Sequence, residues 1–111
     1  MSETDNKEEV DADLPNGDRY KGSTIEGVKH GKGTYTFKSG EVYEGEFFSG
    51  KFHGQAVYTN KKGDKFIGTF NDGTKQGNGQ ILFKNGDRLE AEFKENEILQ
   101  VIDTLLQRNK P

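Results

Sequence analysis

The sequence contains no cysteine, which excludes a disulfide framework and any thiolate metal site. It is also poor in apolar residues, which make up 29% of its 111 residues, too few for an ordinary packed core. No apolar run approaches the roughly 20 residues that a membrane-spanning helix needs. No basic stretch followed by an apolar one opens the chain, so a soluble cytoplasmic protein is expected. Charged residues reach 32%, a balance that taken alone leans towards disorder.

The net charge of -3 hides a division of the chain. Residues 1–16 carry Glu3, Asp5, Glu8, Glu9, Asp11 and Asp13 against Lys7 alone, and the remainder is slightly basic. With no aromatic residue and no periodicity, 1–16 reads as a disordered acidic tail. The weakly basic remainder is a feeble electrostatic footprint for nucleic acid, so no nucleic-acid partner is expected.

What the chain does have is glycine in register. Shifting the sequence by 23 residues superposes Gly17, Gly40, Gly63 and Gly86, and every one of the 15 glycines falls in one of five such phases. Tyr20, Tyr43 and Phe66 share another phase, with Leu89 last; Phe47, Phe70 and Phe93 share a third, with Thr24 as the exception. Periodic units that bury little each are stable when stacked, which overturns the disorder reading for this part.

Each unit reads as a hairpin. Tyr43, Gly45 and Phe47 alternate with Val42, Glu44 and Glu46, the period of a half-buried strand. Glu26-Gly27, Ser49-Gly50 and Asp72-Gly73 mark one set of turns, and Glu95-Asn96 continues it with the residue that best tolerates left-handed backbone. Ser39-Gly40, Lys62-Gly63 and Asn85-Gly86 mark the other, where Asn-Gly suggests a type I′ turn. The glycines between aromatics leave bare backbone over which rings can lie, giving a single sheet that twists into a trough. The other face is polar apart from Val42, Phe48, Val57, Ile67 and Leu82.

The pattern breaks after Asn96. Ile98, Leu99, Val101, Ile102, Leu105 and Leu106 fit helical spacing over 97–108. The expected architecture is all-β: a single twisted antiparallel sheet of consecutive hairpins capped by one C-terminal α-helix. Its parts are a disordered tail (1–16), repeats at 17–39, 40–62 and 63–85, a half-repeat at 86–96, and a capping helix at 97–111. Ile98, Val101, Ile102 and Leu105 would face the sheet, covering Phe83 and Phe93 and keeping the protein monomeric.

The segments from Tyr20 (YKGSTIEGVKHGKG), Tyr43 (YEGEFFSGKFHGQA) and Phe66 (FIGTFNDGTKQGNG) resemble the MORN (membrane occupation and recognition nexus) repeat. The departures are Thr24, Ala56, Gln76 and Leu89. The resemblance implies an array of antiparallel β-hairpins without enzymatic activity, acting as a scaffold that tethers membranes, cytoskeletal proteins or motors.

No catalytic constellation competes with that. His30 and His53 share a phase whose third member is Gln76, a poor metal ligand, so a structural role beside the glycine-rich turns is expected. Gly31-Lys32-Gly33 and Gly77-Asn78-Gly79 lack the remaining parts of a phosphate loop. No cofactor, metal or catalytic residue is expected. The leading expectation is a scaffold or adaptor that binds a protein partner along its aromatic face through Tyr20, Tyr35, Phe37, Tyr43, Phe47, Tyr58, Phe66 and Phe70. The alternative is a peripheral membrane module binding anionic phospholipid through Lys38, Lys61, Lys62, Lys65 and Lys84. Glu41, Asp64 and Asp87 sit beside Lys38, Lys61 and Lys84 as expected cross-strand partners that would weaken such binding.

Overall fold

The alternation of apolar and polar residues becomes nine strands in the computed structural model, which describes residues 7–105. They are β1 (Lys7–Asp13), β2 (Arg19–Ile25), β3 (Val28–Thr36), β4 (Val42–Phe48), β5 (Lys51–Thr59), β6 (Lys65–Asn71), β7 (Thr74–Leu82), β8 (Arg88–Lys94) and β9 (Glu97–Leu105). Each pairs antiparallel with its chain neighbours, giving one open sheet in sequence order within a body of 57 × 27 × 20 Å.

Two kinds of turn alternate. Glu26-Gly27 links β2 to β3 with φ of 51° and 81°, both positive as a type I′ turn requires. Asn96 occupies the glycine place of the last such turn at φ 75°. The longer loops are built differently: Phe37 N donates to Glu41 O (2.8 Å) and Gly40 N to Phe37 O (2.9 Å). Asn85-Gly86 lies in a loop of this second kind, where Gly86 N donates to Phe83 O, so it is not the type I′ turn that its sequence suggests.

Within a hairpin the second strand is longer than the first, and the surplus must go somewhere. In β4–β5 the pairs Gly45↔Ala56 and Phe47↔Phe52 leave His53, Gly54 and Gln55 opposite Glu46 alone. Gly54 at φ 81° takes the bend, as Gly31 (88°) and Gly77 (78°) do in their hairpins.

The core lies on one face. Tyr20, Tyr43, Phe47, Phe66, Phe70 and Phe93 are buried with Ala56 and Ala91. Tyr43 stacks on Phe52 with ring centroids 3.8 Å apart, and Phe47 and Phe70 meet Tyr43 edge-on. The rings do lie on bare backbone: a Cβ on Gly33 would come within 2.6 Å of a Tyr20 ring carbon, and one on Gly79 within 2.6 Å of Phe66. Each buried ring contributes about 1.5–3 kcal/mol of burial, with ring pairing adding about 0.5–1.5. That is how one sheet holds a core without a second layer.

Both ends differ from the expectation. Over 7–13 the acidic tail is strand β1, paired with β2 from Lys7↔Ile25 to Asp13↔Arg19. Shifted by 23 residues it falls on His30–Thr36, so it serves as the second strand of a preceding repeat. Partners on β2 absorb its charge: Arg19 binds Asp11 and Asp13, and Ser23 Oγ donates to Glu9 at 2.7 Å. The expected boundary at residue 17 therefore falls inside the sheet; residues 1–6 lie outside the described residues. Over 97–105 the expected helix is strand β9, paired with β8. The open edge of β8 and the β-branched Ile98, Val101, Ile102 and Thr104 favour a strand over a helix. The remainder of the expected helix, 106–108, also lies outside the described residues. Without that cap, the monomer expectation loses its support.

Candidate functional site

The aromatic phases place the eight expected anchors on one face, but they divide in depth. Tyr20, Tyr43, Phe47, Phe66 and Phe70 are core, with 0–4% of their surface exposed, and offer a partner almost nothing. Tyr35, Phe37 and Tyr58 are only partly buried. Phe37 collects them: its ring lies 4.9 Å from Tyr35, 6.2 Å from Phe52 and 6.4 Å from Tyr58. Phe52 is thus a fourth accessible ring, one that sequence reasoning missed. Its phase holds Lys29 and Lys75 in the flanking repeats, which concealed its side; the alternation Phe52, Gly54, Ala56, Tyr58 would have revealed it.

The two lysines at that phase lie on the same face. Lys29 Nζ sits 5.8 and 5.4 Å from the ring centroids of Tyr20 and Tyr35, and Lys75 Nζ 5.8 and 5.3 Å from those of Tyr58 and Phe66. Burial lowers the Lys75 pKa from its ordinary value.

The tyrosine hydroxyls fix the rims. Tyr35 donates to Asp18 and Tyr58 to Glu41, while Asp18 also accepts from Lys38 N at 2.8 Å. The Tyr35 hydroxyl and then the Lys38 amide hold Asp18 below the usual carboxylate range. Ser39 and then Tyr58 do the same for Glu41. Asp64 is lowered chiefly by the Lys84 amide. Burial pushes Tyr20, Tyr43 and Tyr58 up to about 12.

The lipid candidates Lys38, Lys61, Lys62, Lys65 and Lys84 are all exposed, in or beside the longer loops. Asp18 and Asp64 bind the main-chain amides of Lys38 and Lys84 respectively, so acid and lysine are joined through the backbone. The histidine phase does contact the turns: Ser49 N donates to His30 Nδ1 at 3.4 Å, and Glu95 N to Gln76 Oε1 at 3.2 Å. His53 Nδ1 is buried without a hydrogen-bond partner among the described residues. On the polar face an open groove of about 750 Å³ is lined by Lys21, Lys32, Glu44 and Glu46 among others, a mixture of signs over bare glycines.

Sheet, turns and ring-over-glycine packing together define a β-hairpin repeat module. Residues 20–42, 43–65 and 66–88 match the MORN repeat, and the chain belongs to the MORN repeat family. The matched repeats begin three residues later than the units read from the glycine phases. MORN repeats occur in scaffold and membrane-binding proteins, and the module is generally non-enzymatic. A search of curated proteins returned no match to the chain.

Proposed function

We propose that the array is a non-enzymatic scaffold module that binds a protein partner on its aromatic face. The observation that carries this reading is the cluster of Tyr35, Phe37, Phe52 and Tyr58, four partly exposed rings in contact at the middle of the sheet. Aromatic rings held rigidly by a scaffold supply large contact area at low entropic cost. The five core rings hold this platform in place.

The test is affinity capture with the wild type and with Phe37→Ser plus Tyr58→Ser, both confirmed folded by circular dichroism. Proteins bound by the wild type should be lost from the variant. An unchanged set of captured proteins would remove the aromatic face as the site. Sedimentation with anionic vesicles gives the rival outcome: salt-sensitive binding lost in Lys38→Gln, Lys61→Gln and Lys84→Gln would favour lipid.

A further inference from the structure

We propose that the segment taken by the aromatic face is acidic: two carboxylates seat on Lys29 and Lys75 while an apolar side chain between them covers Phe52. This rests on the reading that the face binds a protein, and adds the chemistry of what it binds.

Three observations converge. First, Lys29, Phe52 and Lys75 occupy one repeat phase, so ammonium, ring and ammonium follow one another along the face. Second, both ammoniums lie over aromatic rings, and neither is within ion-pair distance of a carboxylate among the described residues. The nearby acids are committed elsewhere, Asp18 to Tyr35 and the Lys38 amide, Glu41 to Tyr58 and Ser39. Third, Lys75 is partly desolvated already, so a carboxylate arriving there meets a cation that has lost part of its hydration. A cation poorly served by its own protein, set beside uncovered rings, favours an acidic and apolar ligand over a basic one.

The sheet also sets the spacing. β3 and β7 are four strands apart, which places the two lysines about 19 Å from each other at ~4.8 Å per strand. An extended segment covers that in about six residues and a helix in about 13.

A random-peptide phage library with inserts of about 16 residues, long enough for either spacing, is selected on the immobilised full chain. The expected result is enrichment of sequences with two acidic residues about six or 13 apart around an aromatic or aliphatic residue. Binding of a selected peptide should weaken on the order of tenfold in Lys29→Gln and in Lys75→Gln, and weaken as salt is raised. Lys75→Phe keeps the packing by copying Phe52 and should show the same loss in a protein that melts no lower than the wild type. Peptides lost with Phe37→Ser plus Tyr58→Ser but indifferent to both lysine variants would overturn the acidic ligand and leave the binding face standing. Peptides indifferent to the ring variant, or no enrichment at all, would overturn both.

Discussion

β5 and β9 hold the same place in their hairpins, yet one lies against the core and the other lies open. Along β5, Phe52, His53 and Gly54 are at least partly buried and Ala56 is fully so; every residue of β9 is exposed, with Leu99 at 61% and Ile102 at 51%. The difference traces to single phases. Gly54 gathers the surplus of its strand into one bend at positive φ; at the matching place β9 carries Gln100, which does not adopt positive φ. The surplus there splits into two single-residue bulges on either side, which leave Leu99 and Ile102 without partners on β8. At the other close approach every inner hairpin has a glycine on at least one side, Gly22 with Gly33 or Gly45 with Ala56, whereas the last has none: Ala91 faces Val101, and Ile102 stands at the phase of Gly33 and Ala56. Leu89 replaces the tyrosine that would have covered the strand. Glycine is a strand-weakening residue in most sheets; in this one it decides which strands can be covered.

Tyr43 carries the largest expected effect, because it is the most deeply buried ring. Tyr43→Ala should cost about 4 kcal/mol, whereas Leu89→Ala at the same phase should cost about 2, as read by urea denaturation. Equal losses would mean that the interior is no better packed than the edge. Gly54→Gln, which gives β5 the residue of β9, should cost about 2 kcal/mol through forced positive φ and displacement of Glu46 from the Gln55 amide.

Titration should act on the inner hairpins and the loops that join them. Asp18, Glu41 and Asp64 have lowered pKa values, so their contribution is present above about pH 4 and is lost as pH falls below that. Tyr20, Tyr43 and Tyr58 are raised to about 12, so their contribution is full below about pH 10 and is lost as pH climbs towards 12. Melting followed against pH should fall at both limits, and Tyr58→Phe should soften the alkaline fall. A curve flat across both windows would contradict these assignments. The smallest effect belongs to the edge: Leu99→Ser and Ile102→Ser should each change stability by less than about 0.5 kcal/mol.

Much of this was legible because glycine and aromatic phases report backbone needs directly. The hairpins, the ring-over-glycine packing and the tolerance of Asn96 for its turn all follow from residues 17–96. The ends were not legible, for two physical reasons. In β1 the acidic composition masked a strand whose charges are met by Arg19 and Ser23, partners that only the fold brings near. In β9 an aliphatic run fits helical spacing as well as a bulged strand, and the open edge of β8 settled the choice. At the candidate site, the phases put the eight rings on one face but not at different depths. Depth depends on which neighbouring ring leans across, as Phe52 does over Tyr43.

The most direct test of the glycine account is thermal melting of Gln100→Gly. Placing glycine at this phase should let the two bulges merge into one bend like that at Gly54, pairing Ile102 with Ala91 as Ala56 pairs with Gly45. The melting temperature should then rise by about 4 °C, equivalent to about 1 kcal/mol in a domain of this size. An ordinary exposed strand glycine costs about 0.5–1 kcal/mol, so a fall of similar size would contradict the account outright.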